Sequence, residues 1–281
     1  MKKAIFISIL CIKSIMSFGQ STTFYSKYVE LYKGKRAVIS KEYEDYYSNS
    51  SIKLKLISEI IKPLKLKKNM DTLLRINALD LKGDTLIFDD AQPIQTVNEY
   101  TKQSNYKLLL KSLKSGKRYI LDYDPEISFY FPFTIIDKLS IPNGYFCNEI
   151  SQRKDKFTGK IITETPTGEK IAFVKMSDSG EISYYLRLLS YSSSLSSYLK
   201  TGVIVLLQDG SKVEFKDCNI EILEKSHSGI YTYLAMQKLD QETLKKLSKG
   251  KIEAYRMFVD DSTINDFEAV KAISLLNCLT N

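Results

Sequence analysis

The sequence predicts an α+β protein built mainly from antiparallel β-sheets, with a few helices covering them. Aromatic residues typical of strands are abundant, with 19 Tyr and 13 Phe. Glycine turns separate stretches rich in β-branched residues, which favours hairpins. In a chain of 281 residues, 43% hydrophobic residues, 12 Gly and 6 Pro are typical of one large or two ordinary folded domains, not of a disordered or fibrous chain.

Residues 1–19 predict a secretory signal peptide. Two lysines precede a short apolar run, and the small residues Ser17 and Gly19 stand just before Gln20. The run is shorter than the about 20 apolar residues that a membrane-spanning helix needs. We therefore expect cleavage near Gly19/Gln20, a secreted or periplasmic location in a bacterial cell, and no transmembrane segment in the remaining chain.

The predicted cleavage leaves a mildly basic chain. It removes three lysines and no acidic residue, so the formal net charge falls from +8 to +5. The alternation of apolar and basic residues over 52–56 predicts a strand with one solvated face, in preference to a site for anionic lipid or polysaccharide. No nucleic-acid partner is expected, because no reading helix or RNA-binding motif is visible. The concentrated lysines of this region are Lys53, Lys55, Lys62, Lys65, Lys67 and Lys68.

Two hairpins are predicted, one around Lys82-Gly83-Asp84 and one around Asp209-Gly210. Glycine favours such tight turns because it tolerates a positive φ. Residues 109–114 are predicted to form a helix that Gly116 ends. Further strands are predicted near 24–32, 117–123, 157–164, 170–176, 182–189, 229–238 and 251–259.

Two helices are predicted near the C-terminus. Asp240 can accept hydrogen bonds from the first turn of one helix, and Gly250 can end it. The second spans about 266–279, where Asn265 and Glu268 have the spacing of a capping box. This second helix is largely apolar, so we expect it to cover one face of a sheet.

An internal duplication is one interpretation of the chain. The segments 109–120 and 244–252 are similar in sequence, and the glycine turns upstream of them recur at comparable offsets. This predicts two similar tandem β-rich domains, 20–148 and 149–281, the second ending in a helix. The alternative is that such elements recur in any α+β protein.

Three cysteines remain after the predicted cleavage: Cys147, Cys218 and Cys278. An odd number in an oxidising compartment leaves at least one of them unpaired. A Cys218–Cys278 bridge is one alternative, and Cys278 as a buried apolar residue is the other.

The search for catalytic groups assigns no catalytic, cofactor-binding or metal residue. His227 is the only histidine, and its context predicts an exposed turn and not a general base. Three Ser-x-x-Lys matches are interpreted as accidental, and the carboxylates after 122 as solvated turn residues. These residues are Ser151/Lys154, Ser197/Lys200, Ser248/Lys251, Asp122, Asp124 and Glu126; Asp260 and Asp261 are interpreted as favouring the start of the last helix.

Tyrosines concentrate near the predicted N-terminus of the mature chain. Exposed aromatic rings can stack on sugars, but the absence of Trp makes ordinary strand and core positions the favoured interpretation. The tyrosines in question are Tyr25, Tyr28, Tyr32, Tyr43, Tyr46 and Tyr47.

Residues 156–280 resemble a recurring type of uncharacterised, exported, β-rich bacterial protein. The resemblance rests on short motifs and implies a β-rich exported module without any assigned catalytic residue. These motifs are Lys156-Phe157-Thr158-Gly159-Lys160, Gly202-Val203-Ile204-Val205-Leu206, Gln208-Asp209-Gly210-Ser211-Lys212, the Tyr-rich 230–234, Leu239-Asp240-Gln241-Glu242-Thr243-Leu244 and Lys251-Ile252-Glu253-Ala254-Tyr255-Arg256.

The function expected from these observations is a non-enzymatic binding or structural role outside the cytoplasm. The partner would be a protein or a glycan, and no cofactor is expected. Two alternatives stay open. One is a hydrolase whose site is assembled by the fold from carboxylates or serine, and the other is a glycan-binding module that uses exposed tyrosines.

Overall fold

The computed structural model describes residues 26–41, 53–57, 75–95, 104–123, 131–193, 201–226 and 229–281. The chain divides into two compact units between Ile141 and Pro142. Each unit contains one β-sheet, and the strand pairs described are all antiparallel, so the predicted β-rich class is confirmed. Within the described ranges, no helix has both the length and the apolar character needed to cross a bilayer.

The first unit contains a seven-stranded sheet in the order β3-β2-β6-β5-β4-β1-β7. Its centre is the meander β4-β5-β6, which packs around Phe88, Leu108 and Leu110. The strands are β1 (Arg36–Ile39), β2 (Lys53–Ile57), β3 (Arg75–Asn77), β4 (Leu86–Gln95), β5 (Ser104–Ser112), β6 (Arg118–Tyr123) and β7 (Phe133–Ile135).

Three predictions in this unit are wrong. The strand predicted near 24–32 is a 3₁₀ helix over Ser26–Tyr32, in which Val29 and Tyr32 lie one turn apart and are both buried. No hairpin forms at Gly83, because β3 pairs with β2 and not with β4. The stretch predicted as a helix before Gly116 is largely strand β5, where Leu108 and Leu110 alternate with partly exposed neighbours.

A second 3₁₀ helix explains the failure at Gly83. The Asn77 side chain accepts a hydrogen bond from the Leu79 amide, and the Asp80 carboxylate accepts one from the Asn77 amide. This local cap starts a helical turn over Ala78–Leu81 immediately after β3. The chain therefore leaves the edge of the sheet and does not fold back on β3.

The second unit contains a nine-stranded sheet in the order β16-β15-β12-β13-β14-β11-β10-β9-β8. The predicted Asp209-Gly210 hairpin is confirmed, with Val203 opposite Phe215. The strands are β8 (Ser151–Lys154), β9 (Ile161–Glu164), β10 (Ile171–Asp178), β11 (Glu181–Ser192), β12 (Thr201–Leu207), β13 (Lys212–Lys225), β14 (Tyr231–Leu239), β15 (Ile252–Met257) and β16 (Asp260–Thr263).

This sheet curves so that β15 and β16 approach β11, although β12, β13 and β14 separate them in the strand order. The hydroxyls of Ser190 and Ser262 lie 3.1 Å apart, and the Tyr255 hydroxyl donates to the carbonyl oxygen of Leu189. The inner face carries the apolar core of the unit.

Both predicted helices are confirmed with their N-terminal caps, whereas the first helix ends at Leu247 with Ser248, and not Gly250, as its C-terminal cap. Helix α1 (Gln241–Leu247) begins after Asp240, whose side chain accepts from the Thr243 amide. Helix α2 (Asp266–Thr280) has the Asn265–Glu268 capping box. Its buried residues Ala269, Ala272, Leu276 and Leu279 join the core of the sheet.

The disulfide joins Cys147 to Cys278, with their Cα atoms 5.4 Å apart. Both alternatives considered for Cys278 are therefore wrong, because it is neither bonded to Cys218 nor an unbonded apolar residue. Cys218 faces the core from β13 as a free, buried thiol. Burial raises the pKa of this thiol.

Candidate functional site

The residues weighed for catalysis are not brought together by the fold. Ser151 and Lys154 lie on strand β8, where a separation of three residues points side chains to opposite faces. The Ser248 hydroxyl donates to the carbonyl oxygen of Lys245 at the end of α1, and Lys251 forms an ion pair with Asp266. His227, Ser197 and Lys200 lie outside the described residues, so the predictions about them are not tested.

The weighed carboxylates are dispersed as well. Asp122 is exposed on β6, whereas Asp124 and Glu126 lie outside the described residues. Asp260 and Asp261 belong to β16 and do not begin the last helix; Asp261 forms a two-pronged ion pair with Arg256 on β15. In the parts of the chain that the structure describes, no group of three His, Cys, Asp or Glu side chains could hold a metal ion.

The N-terminal tyrosines do not form an exposed platform in the described part of the chain. Tyr32 is completely buried against Phe88, and Tyr28 is half-buried. Tyr25, Tyr43, Tyr46 and Tyr47 lie outside the described residues. The aromatic cluster noted in the sequence therefore contributes to the core where it is described.

Among the described residues of the second unit, the most buried charged side chain is that of Lys271 on helix α2, which is 6% exposed. Its ammonium nitrogen lies 2.8 Å from a carboxylate oxygen of Glu169 and 3.0 Å from one of Glu149. It also lies 5.5 Å from the ring centre of Phe146, within the range of a cation–π contact. Two carboxylates and an aromatic face therefore surround this amine.

The surroundings of Lys271 fasten the start of the second unit to its last helix. The ring of Phe146 packs edge-on against Phe267, with ring centres 5.9 Å apart, and Cys147 is bonded to Cys278. A third link is the Glu149–Lys271 ion pair. We call the Phe146–Phe267 contact, the Cys147–Cys278 bond and this ion pair the terminal clasp. The depression beside it is lined by Glu169, Lys170, Ile171, Ile264, Glu268, Lys271, Ala272 and Leu275.

A different arrangement occurs at the turn between β8 and β9, where the Phe157 side chain is fully exposed, at 101% of the reference value. Asp155 fixes this turn, because its Oδ1 accepts hydrogen bonds from the amides of Phe157, at 2.8 Å, and Thr158, at 3.0 Å. Gly159 takes the positive φ of 75° that closes the turn, and its amide donates to the carbonyl oxygen of Asp155. The bonds to the Thr158 and Phe157 amides hold the pKa of Asp155 below its usual range.

Apolar and basic residues lie near Phe157 in the chain and at the same end of the sheet. The strand register places Ile161 and Ile182 in one cross-strand row on either side of Ser177, and they are 38% and 53% exposed. Lys154, opposite Ile161 on β8, extends this row and is exposed. We call the combined set the hairpin tip surface: Lys154, Lys156, Phe157, Lys160, Ile161 and Ile182.

Two carboxylates close to this surface already have partners. Asp178 forms an ion pair with Lys160 at 2.9 Å, and Asp155 is engaged by the amides of its turn. Glu181, beside Ile182, is exposed. Lysines precede and follow Phe157 in the chain, and these three carboxylates balance the formal charge of Lys154, Lys156 and Lys160.

The sequence analysis did not identify this surface. It predicted a strand over 157–164, whereas 157–160 form the turn and only 161–164 are in β9. A short segment that contains Gly and separates two strands is a signal for a hairpin, and Asp155-Lys156-Phe157-Thr158-Gly159 is such a segment. The exposure of Phe157 was not predictable, because phenylalanine is more often buried.

Comparison with known proteins gives no relative from which a function could be transferred. No protein-family model, no curated protein and no solved structure matches the chain.

Proposed function

We propose that the chain is an exported, non-enzymatic binding protein whose contact surface is the hairpin tip surface. The observation that carries this proposal is the complete exposure of Phe157 on a turn fixed by its own hydrogen bonds. When a partner covers an aromatic side chain that stands in solvent, binding becomes more favourable. Complete burial of a Phe side chain contributes about 1.5–3 kcal/mol to the free energy of binding.

The rigidity of the turn supports an anchoring role for Phe157. Hydrogen bonds to the Asp155 carboxylate and between the backbones of Asp155, Gly159 and Lys160 hold the turn. A side chain presented by an ordered turn loses less conformational entropy on binding than one on a mobile loop. Interface hot spots are typically such preorganised aromatic residues.

The state of Lys271 supports a non-enzymatic role. Its ammonium group is engaged by Glu149 and Glu169 and helps to fasten the terminal clasp. These two ion pairs give Lys271 a structural role between helix α2 and the start of the second unit.

The Cys147–Cys278 disulfide supports export. Disulfides persist in oxidising compartments and are rare in the reducing cytosol. Together with the leader predicted over 1–19, this favours a secreted or periplasmic protein. Fractionation of native cells tests the proposal: the protein should be recovered outside the cytoplasm with a mass that lacks the leader, and cytosolic recovery at full mass would contradict it.

We also propose the finer fold class, α+β in two domains, on the basis of the helix-covered sheet of the second unit. Similarity between the two domains has weaker support. Both sheets contain a meander, β4-β5-β6 and β12-β13-β14, but the flanking strands follow different orders. Gly83 precedes its meander whereas Gly210 lies inside the other one, so the turns matched by sequence are not equivalent.

Site-specific photo-crosslinking tests the contact surface. Benzoylphenylalanine at position 157 should give crosslinks in the native compartment. The same probe at Tyr191 is the control, because Tyr191 is also an exposed aromatic residue but lies about 30 Å along β11 from Ile182. Equal crosslinking at both positions, or none at 157, would contradict the proposal.

A further inference from the structure

We propose that the Cys147–Cys278 pair is a reversible thiol–disulfide exchange site, which a protein with two vicinal cysteines can reduce and re-form while the second unit stays folded. This inference goes beyond the proposed function, because it involves no residue of the hairpin tip surface. It gives the bond a chemistry of its own, in addition to its contribution to stability.

The disulfide lies at the surface of the second unit. Cys147 is exposed and Cys278 is half-buried. Gly144 stands beside the bond, where an added Cβ would lie 3.6 Å from the Cys147 sulfur, so the absence of a side chain leaves room next to that sulfur. Because a thiolate must reach a sulfur atom for exchange to occur, exposed disulfides are the ones that are reduced most readily.

The other two links of the terminal clasp lie on either side of Cys147 in the chain. Phe146 is completely buried and packs against Phe267, and Glu149 is paired with Lys271 at 3.0 Å. Neither link depends on the bond between the sulfurs. We therefore expect the two thiols of the reduced protein to stay close to each other, so that each has a high effective concentration at the other.

The third cysteine of the mature chain is separated from this chemistry by the core. Cys218 is 2% exposed and faces the apolar core from β13. Buried thiols of this kind are inert, so exchange between Cys218 and the surface pair would require the core to open. Oxidation after folding therefore joins the correct pair of the three cysteines, and the accessibility of Cys218 shows whether the core stays closed.

The exchange needs a dithiol as its co-reactant. One thiolate of the dithiol attacks the exposed Cys147 sulfur and forms a mixed disulfide, while the electron pair of the broken bond stays on the Cys278 sulfur, which takes up a proton. The second thiol of the reductant then closes its own disulfide, and Cys147 leaves as a thiolate that is protonated in turn. Two electrons and two protons thus pass from the dithiol to the protein, and the reverse sequence forms the bond.

A monothiol should be a poor reductant of this bond. After its attack on Cys147, the clasp keeps Cys278 beside the mixed disulfide. The Cys278 thiolate then displaces the monothiol and restores the original bond, whereas a dithiol resolves the mixed disulfide with its second thiol. The arrangement therefore selects a partner with two vicinal cysteines.

Labelling of the mature protein after reduction without denaturant tests the site. With dithiothreitol followed by a maleimide of high mass, we expect two labels, on Cys147 and Cys278, and none on Cys218. Glutathione at the same concentration of thiol groups should leave most of the bond intact. Three labels would show that reduction opens the core, and no label before urea is added would show that the bond is inaccessible; either result, or equal reduction by both reagents, would overturn the inference.

The equilibrium with mixtures of oxidised and reduced dithiothreitol measures how well the clasp holds the two thiols together. Phe146→Ala should lower the equilibrium constant for bond formation about 10- to 100-fold, because the burial of a Phe side chain is lost. Glu149→Gln is a milder change and should lower it about two- to fivefold. Asn148→Ala, at an exposed position next to Cys147, is the matched control and should stay within about twofold of the parent. An unlabelled Cys218 verifies the fold of each variant, and equal constants for Phe146→Ala and Asn148→Ala would overturn the inference.

Discussion

The hydroxyl of Tyr255 on β15 donates a hydrogen bond to the carbonyl oxygen of Leu189 on β11. Three strands lie between these two in the sheet, so the bond spans the inside of the curve and not a strand pair. Tyr255 is buried, and its ring belongs to the core of the second unit. One phenolic group therefore satisfies its own polar atom and holds two distant parts of the sheet together.

Replacing Tyr255 with Phe should lower the free energy of unfolding by about 1 kcal/mol, because the hydrogen bond is lost while the ring is kept. Urea unfolding measures the change. Tyr191→Phe, at an exposed position, is the control and should stay within about 0.5 kcal/mol of the parent protein. A Tyr255→Phe protein as stable as the control would show that the bond contributes nothing.

Stability should also depend on pH in the alkaline range through Tyr255. Burial raises its pKa from 10.0 to about 12. The folded state thus favours the neutral phenol, and this contribution is fully present below the unfolded pKa of 10.0 and is lost as the pH rises to about 12. Urea midpoints measured from pH 9 to 12 should fall less in Tyr255→Phe than in the parent, and parallel curves would contradict the assignment.

The ion pairs of Lys271 should respond asymmetrically to substitution. Lys271→Met leaves Glu149 and Glu169, which are 25% and 39% exposed and can be rehydrated, so we expect a loss of at most about 2 kcal/mol. Glu149→Gln with Glu169→Gln leaves a buried ammonium without its two anionic partners, and this should cost about 3–5 kcal/mol. Urea unfolding compares the two variants, and a larger loss in Lys271→Met would reverse the interpretation.

The cysteines should give a defined labelling pattern with a maleimide of high mass. In the mature chain we expect no label in the native state, one after unfolding and three after unfolding with reduction, because Cys218 is buried and the other two are bonded. Retention of the leader would add Cys11. Reduction should also lower stability by about 2–5 kcal/mol, toward the upper end because the cross-link closes a loop of 131 residues.

The turn that carries Phe157 should depend on the Asp155 carboxylate. Asp155→Ala removes the acceptor for the amides of Phe157 and Thr158, so these amides should exchange faster with solvent. Asp155→Asn retains an oxygen acceptor and should lie between the alanine variant and the parent.

The same exchange measurement tests the sign of the pKa shift. Because the folded state lowers the pKa of Asp155, its contribution is present above the unfolded value and should be lost only as the pH falls through the lowered folded value. Loss of protection already at the pKa of an ordinary aspartate would contradict the shift.

Features that depend on neighbouring residues were predictable from the sequence. The Asn265–Glu268 capping box and the Asp209-Gly210 turn act within a few residues and are found as predicted. The prediction of a helix over 109–114 was wrong because the stretch is too short for its pattern of apolar and basic residues to distinguish a helix from a strand. In the structure, the lysines lie on the partly exposed face of strand β5.

Features that depend on distant residues were not predictable. Cys278 bonds to Cys147 because residues 142–150 pack against helix α2. The spacing of the cysteines in the sequence does not predict this packing. Whether a phenylalanine is buried or exposed likewise depends on what the rest of the chain packs against it. Phe146 and Phe157 are close in sequence and have opposite environments.

The Cys147–Cys278 bond turns the second unit into a covalent ring, since its two cysteines lie near the first and last residues of that unit. A protease that cuts once between them, for example at an exposed turn, would leave both fragments attached to each other. Such a nicked molecule would migrate as one species without reductant and as two with it. In an environment rich in proteases, a single cleavage would thus fail to separate the Phe157 hairpin from the body of the unit.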